Sequence, residues 1–291
     1  MKKFDKVKIH ENVSLEKYTT YRLPAKTKYL AYPENVKELV KLIKYLREKN
    51  IKYKVIGGGS NLIFEHDYDG VLIKLDHFDK LEINDTKITV GAGYNTMKLA
   101  IKVCKAGLTG MEFATGIPGT IGGAVFNNSG AYKSDMGYIV ESIKVLDPNL
   151  EIKTLYNKDL KYHYRTSFLK DNPEYIVLEA NIVLEHGNKQ EIMDVIEDRK
   201  KRRLMAQPLE YPSAGSVFRN PPDNFAGKLI EDSGFKGAIE GGAQVSEKHA
   251  NFIINKNHAT GSDIVKLIKD IKSTVKEKYN IDLVLEQEIV D

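Results

Sequence analysis

Three consecutive glycines follow an apolar strand pattern in VIGGGSNLIF, residues 55–64, and a second glycine-rich stretch, GMEFATGIPGTIGGAVFNNSGAY, spans 110–132. Glycine costs conformational entropy on folding, so a chain keeps such runs where its backbone turns tightly or lies close against something. Neither GGGSN nor GIPGTIGG fits G-x-G-x-x-G, and no G-x-x-x-x-G-K-[ST] occurs, so the Rossmann and P-loop spacings are excluded. Taken alone, each loop reads better as a structural turn. Two such loops after strands of one region can line both sides of a pyrophosphate. Without Cβ atoms, backbone N–H groups reach phosphate oxygens, and Ser60 and Asn61 add side-chain donors.

The surrounding pattern is mixed. PENVKELVKLIKYLREKN, 33–50, places Val36, Leu39, Val40, Ile43 and Leu46 on one helical face. IKYKVI, GVLIKL and KITVGAG read as strands, and TMKLAIKVCKAG as a helix closed by Gly107. SIKVLD, IKTLY and EYIVLEANIVLEHG continue as strands to about residue 187. A helix is expected over 188–207, ended by Pro208 and Pro212. PSAGSVFRNP then reads as a turn and short strand, SDIVKLIKDIKSTVKEKYN as an amphipathic helix, and IDLVLEQEIVD as a closing strand. The change of texture puts a domain boundary near 188, giving domains 1–187 (with an N-terminal segment 1–21) and 188–291.

Composition excludes several classes. The 291 residues are 42% hydrophobic and 29% charged, ordinary for a folded globular chain. A net charge of +4, with both signs interspersed, argues against nucleic acid as a partner and suits a small anionic ligand. A single cysteine, Cys104, excludes an internal disulfide, and the histidines lack ligand spacing, so no metal site is expected. No apolar run has the length of a signal peptide core or a membrane span. The expectation is a cytoplasmic monomer with a small-molecule substrate and no membrane partner.

Six segments occur in order over nearly the whole chain: VIGGGSNLIF, GIPGTIGGAVFNNSGAY, YRTSFL, PSAGSVFRNP, GGAQVSEKHANFIIN and LEQEI. That series resembles the UDP-N-acetylenolpyruvoylglucosamine reductase (UDP-N-acetylmuramate dehydrogenase) family of peptidoglycan precursor synthesis, in its smaller subtype. The resemblance implies an α+β fold, with an FAD-binding domain of the vanillyl-alcohol-oxidase (PCMH) type and a C-terminal α/β substrate-binding domain. It implies non-covalent FAD, its pyrophosphate cradled by Gly57, Gly58, Gly59, Ser60 and Asn61 and by Gly116, Ile117, Pro118, Gly119, Thr120, Gly122, Gly123 and Ala124. NADPH is the implied hydride donor, and the activity is that of an oxidoreductase acting on a CH–CH group.

The implied catalytic residues are Arg165 of YRTSF, Ser216 of PSAGSVF and Glu288 of LEQEI. Their chemistry can be checked independently. Hydride addition to a vinyl terminus leaves negative charge on the carbon α to a carboxylate, which needs a cation and then a proton. A guanidinium fork grips a carboxylate through two parallel bonds. A serine hydroxyl is a weak acid toward water, yet transfer to a carbanionic centre runs downhill. A carboxyl group at Glu288 orients the substrate carboxylate if protonated or paired with Arg165. Asn220, Lys236 and His249 match substrate-facing positions, and Arg202 and Arg203 suit a diphosphate, although a basic helix end also suits the macrodipole. Tyr132 and Tyr164 suit either flavin or uracil packing or an ordinary core. The chain departs from the family in YTTYRLPAKTKY, which lacks a glycine pair near Thr19–Ala25, in Ala214 for a cysteine, and in Glu240 where an aliphatic residue is expected. Two rivals stay open: a flavin-dependent alcohol or sugar oxidase, and a flavin- or nucleotide-sugar-binding protein without turnover.

Overall fold

The structure, a computed structural model, describes residues 7–290; residues 1–6 of the expected N-terminal segment and Asp291 lie outside them. The chain divides into two compact units. The first takes residues up to 10, 30–58 and 71–200, and the second takes 11–29, 59–70 and 201 onward.

In the first unit, helix α1 (Val36–Glu48) starts where Asn35 accepts a bond from the Glu38 N–H, and it buries Leu39, Leu42, Ile43 and Leu46. The buried face includes Leu42, while Val36 and Val40 are only half-buried. Strand Tyr53–Ile56 pairs in parallel with residues 71–74, Val55 opposite Ile73. An antiparallel five-stranded sheet runs in the order Ile152–Tyr156, Val140–Leu146, Ile176–Val183, Lys87–Gly91 and Leu81–Asn84. Helix α2 (Thr96–Lys105) is capped by Asn95 and buries Leu99, Ala100, Val103 and Cys104. The six-residue helix α3 (Ile121–Phe126), capped by Thr120, packs on strand Ile176–Val183. Short α4 (Phe168–Asp171) and long α5 (Lys189–Ala206) follow; α5 buries only Ile192 and leaves the first unit after Lys200. Such a helix draws little of its stability from an apolar face.

The second unit is built on α6 (Ala226–Asp232) and α7 (Gly261–Tyr279). A capping box begins α7: Thr260 accepts from the Asp263 N–H and Asp263 accepts from the Thr260 N–H. The inward face of α7, Ile264, Leu267, Ile268, Ile271 and Val275, packs with Tyr21, Leu23, Ile63, Val217, Phe218 and Ile253 in one core. Each such side chain contributes about 1.5–3 kcal/mol when fully buried. Glu240, unexpected from the sequence, forms an ion pair with Lys266 of α7.

This division differs from a single cut at residue 188. Segments 11–29 and 59–70 belong with the C-terminal part because strand Leu62–Phe64 pairs in parallel with Glu288–Val290, and Tyr21 and Leu23 fill its core. The expected closing strand is also shorter, Glu288–Val290 only. Upstream, one bridge joins Phe218 to Leu285, with Arg219 N bonded to Val284 O and Glu286 N to Val217 O. The turn at Gly215 and the proline after Asn220 bound PSAGSVFRNP too closely for a longer ladder.

Candidate active site

The two glycine loops of the first unit lie against each other. A Cβ at Gly58 would sit 2.7 Å from the Gly119 Cα, and one at Gly57 only 2.5 Å from the Thr120 Oγ1. Glycine is therefore required for the backbones to approach. Thr96 N donates to Gly119 O at 3.1 Å, Ile121 N to Tyr94 O at 2.9 Å and Gly122 N to Ala92 O at 2.8 Å, which moors the second loop to the ends of neighbouring elements. From the other side, Lys74 Nζ donates to Gly57 O at 3.0 Å. Lys74 is 9% exposed and was not singled out by sequence; its only signal is a lysine ending the apolar run GVLIK.

The structure divides the candidate cradle. The N–H groups of Ile117, Gly122, Gly123 and Ala124 are bonded within the loop or to Ala92. Those of Gly58, Gly119 and Thr120 donate to no acceptor among the described residues, and none of the three residues is buried. Close-packed glycines presenting unused N–H donors fit a phosphate, which only accepts. The residues present therefore fit an FAD pyrophosphate. Gly116 ends a 3-10 turn over Glu112–Gly116, and Pro118 is exposed. In the second unit, Gly59 has φ 62° and a Cβ there would meet Tyr18 O at 2.0 Å, so this glycine answers to its own chain. Ser60 is half-buried. Asn61 Nδ2 donates to Glu286 O at 3.1 Å, tying the loop to the chain before Glu288.

Arg165, in the first unit, sits in a tight turn closed by reciprocal bonds between His163 and Thr166, 3.1 and 3.0 Å. Its φ of 56° is left-handed, a conformation a bulky residue adopts only when its surroundings impose it. Two clamps do so. Asn128, 1% exposed, donates from Nδ2 to His163 O at 2.8 Å and accepts from Gly137 N at 2.9 Å; Ser167 Oγ donates to Phe126 O at 2.6 Å. The guanidinium lies 5.2 Å from the Tyr164 ring centre, and Nη2 donates to Gly130 O at 2.5 Å. Nearby Asp135 has its pKa raised by burial, against the pull of the Gly137 N–H, the Asn128 amide and the Arg165 charge. Tyr132 and Tyr164 are both exposed, and Arg199 covers the Tyr132 ring at 4.6 Å. Neither tyrosine is a core residue.

Ser216 and Glu288 lie in the second unit, both half-buried. Gly215, φ 76°, makes the turn ahead of Ser216, and Val217 N donates to Asn251 O at 2.9 Å behind it. The Glu288 N–H donates to Asn61 O at 2.9 Å as its strand pairs with Leu62–Phe64. Between these segments stands Gln287, 3% exposed. Its amide donates to Ala214 O and Gly215 O, both at 3.1 Å, and its oxygen accepts from Tyr21 Oη at 3.0 Å. Sequence reasoning missed Gln287 and Tyr21, whose partnership spans most of the chain.

The expected substrate contacts all lie in the second unit. Asn220 is exposed, and its Oδ1 accepts from Ala226 N at 3.0 Å at the start of α6. Lys236 pairs with Glu231 at 2.8 Å, both exposed. His249 Nδ1 accepts from Asn251 N at 3.2 Å, so the neutral ring carries its proton on Nε2 and offers it as a donor. Burial, with the Lys236 charge adding to it, lowers the His249 pKa. Arg202 is exposed and Arg203 half-buried near the end of α5. No group of three or more metal-ligating side chains exists among the described residues.

Two family models match the chain. An FAD-binding domain model covers 27–156, holding both glycine loops, and the UDP-N-acetylenolpyruvoylglucosamine reductase C-terminal domain model covers 207–290, holding Ser216 and Glu288. Fold and loops thus define an FAD-binding-domain protein of α+β class, as expected from the sequence. A relative from Caldanaerobacter subterraneus subsp. tengcongensis, a UDP-N-acetylenolpyruvoylglucosamine reductase, is 44% identical over 97% of this chain and 94% of its own. One of the same name from Lactobacillus helveticus is 44% identical over 98% and 95%. The crystal structure of that reductase from Thermus caldophilus superposes with a TM-score of 0.83 at 31% identity, covering 98% of this chain and 100% of that one. The chain belongs to the UDP-N-acetylenolpyruvoylglucosamine reductase family.

Proposed function

We propose that the protein reduces UDP-N-acetylglucosamine enolpyruvate to UDP-N-acetylmuramate with NADPH, a cytoplasmic step of peptidoglycan precursor synthesis. The observation that carries this reading is 44% identity over nearly the full length to reductases of that name, with Arg165, Ser216 and Glu288 all present. Residues 1–187 chiefly hold the cofactor and 188–291 the substrate. Non-covalent FAD, when bound, would supply the hydride-relay chemistry between NADPH and the vinyl terminus. Gly58, Gly119 and Thr120 supply the backbone donors that hold its pyrophosphate, with the rest of both glycine loops shaping the cradle. Cys104 is no tether: it is fully buried in α2 and burial pushes its thiol up to about 12.

Arg165 binds the substrate carboxylate and stabilises the charge that develops beside it. The guanidinium donates to the Gly130 carbonyl, and its planar, permanently charged fork is the shape that matches a carboxylate. Ser216 Oγ gives its proton to the carbon α to that carboxylate, completing addition of hydride and proton across the double bond. Water then returns a proton to the serine. Glu288 orients the carboxylate. Arg202 and Arg203 face the diphosphate, and Asn220, Lys236 and His249 contact the remaining substrate, His249 as an Nε2–H donor.

The test is an anaerobic visible spectrum of the purified, FAD-loaded protein. Colour should bleach with NADPH and return on adding the enolpyruvyl substrate. In Ser216→Ala the bleaching should persist, and recovery should slow by about 10²–10⁴-fold, the worth of a positioned acid. Colour that returns only with oxygen would replace this reading with the oxidase, and a protein that takes up no FAD would remove it.

A further inference from the structure

Gln287 occupies an unusual position, in the core and in contact with the chain on either side of the proposed proton-delivery step. It directly precedes Glu288, and both of its amide protons go to the carbonyls of Ala214 and Gly215, the two residues before Ser216. Its oxygen takes the Tyr21 hydroxyl proton. Tyr21 is fully buried, and that burial raises its pKa, so the phenol stays protonated as a donor. The carboxamide thus bonds both to the Ser216 turn and to Tyr21 of the N-terminal segment. The bonds to Ala214 O and Tyr21 are buried and the one to Gly215 O is part-buried, so losing a partner leaves a group that water reaches poorly.

This arrangement makes a specific demand on chemistry. Gly215, at φ 76°, has open space where a side chain would sit, so no side chain of its own helps to fix the peptide ahead of Ser216, which runs between the core residues Ala214 and Val217. The carbonyls of residues 214 and 215 both accept from the Gln287 amide, which fixes the direction in which they point. Only a donor of two protons grips both, and position 287 supplies one. An isosteric glutamate would present acceptor oxygens to two carbonyls and to a phenol that must then donate to a charge.

We propose that Gln287, locked by Tyr21, is a positioning residue that holds Ser216 and Glu288 in one register for proton delivery. The proposal rests on the assignment of Ser216 and Glu288 made above. Gln287 touches no reacting atom; it acts by aiming the serine hydroxyl and fixing the spacing to the neighbouring carboxyl group. Proton delivery should therefore be affected, while flavin reduction by NADPH should not.

The experiment compares FAD-loaded wild type, Gln287→Glu, Tyr21→Phe and Ser216→Ala in the two anaerobic half-reactions, followed by stopped-flow absorbance. In Gln287→Glu, reoxidation by the enolpyruvyl substrate should slow by about 10- to 100-fold, the effect of a slightly misplaced catalytic group. Its dependence on substrate concentration should barely change, and NADPH reduction should stay at the wild-type rate. Tyr21→Phe should show the same split at about three- to tenfold, the worth of one hydrogen bond. Run in D2O, both variants should yield product with some inverted configuration at the new C–D carbon, because solvent then competes with a misaimed serine.

Equal loss of both half-reactions, or folded variants that reoxidise normally with one configuration, overturns the proposal. Should Gln287→Glu not fold, Tyr21→Phe decides by the same criteria. Ser216→Ala separates the two levels. If it reoxidises like wild type, the assigned role of Ser216 has failed. If it stops while both other variants behave normally, only the positioning role has failed.

Discussion

The two segments that carry the proposed catalytic residues are built in opposite ways. At Ser216 the strained backbone falls on a glycine next door, φ 76°, and uncharged buried groups grip the turn. At Arg165 the arginine itself takes the left-handed conformation, φ 56°, in a turn beside a half-buried carboxylate and an exposed tyrosine. A proton donor needs one fixed aim, which a neutral, satisfied carboxamide supplies. A carboxylate-binding cation needs reach and an electrostatic environment, which a clamped turn with charged neighbours supplies. Strain at the functional residue is held in place by Asn128 and Ser167.

The largest effect should separate the two regions by chemistry. Arg165→Lys keeps the charge but loses the planar fork, and should slow substrate-driven reoxidation by about 10²-fold while leaving NADPH reduction alone. A lysine that works as well as arginine would show that only charge matters there, and the contrast between a fork and a proton donor would collapse. Stopped-flow absorbance on the FAD-loaded protein reads this directly.

Next come the clamps. Asn128→Ala removes one hydrogen bond each from the His163 carbonyl and the Gly137 N–H, which keep Thr166 and Asp135 as partners, and should cost about 1–3 kcal/mol in urea unfolding. It should also raise the substrate concentration needed for reoxidation, because Arg165 is no longer presented in one place. Gly215→Ala meets no atom within 4 Å, so its cost is the backbone conformation alone, about 1–2 kcal/mol. If Asn128→Ala proves the milder of the two, the Arg165 turn holds its shape without the clamp.

These contrasts were only partly legible in the sequence. Helices α1, α2 and α7 were legible from their apolar spacing, a local signal, while their caps at Asn35, Asn95 and Thr260 were found in the structure. The glycine loops were legible as loops, but not the reason for each glycine. Gly58 makes room for Gly119, whereas Gly59 makes room for Tyr18. The grouping of 11–29 and 59–70 with the C-terminal part was hidden, since parallel pairing of 62–64 with 288–290 leaves no short-range trace. Gln287 was unreadable for the same reason: a glutamine beside two glutamates resembles surface until Tyr21 is seen to reach it. Four strands of the five-stranded sheet were legible and Leu81–Asn84 was not, and the strand order is set by contacts between distant residues.

The smallest effect concerns the charge beside Arg165. Burial raises the Asp135 pKa above its ordinary 3.8, against the Gly137 and Asn128 hydrogen bonds and the Arg165 charge. A carboxyl group with a raised folded-state pKa favours the folded state while protonated; that contribution is complete below pH 3.8 and is lost as pH rises through the folded value. At neutral pH the ionised carboxylate is therefore a burden on the loop, which the Ser216 region avoids by using neutral groups alone. Asp135→Asn keeps an acceptor for the Gly137 N–H and removes the charge. Its melting temperature should exceed that of wild type at pH 7, and the gap should close as pH falls toward 3.8. A gap that widens instead on acidification would mean that attraction to Arg165 outweighs burial, making the carboxylate part of the clamp. The two regions would then differ in the kind of partner that holds them, with no electrostatic strain reserved for the arginine side.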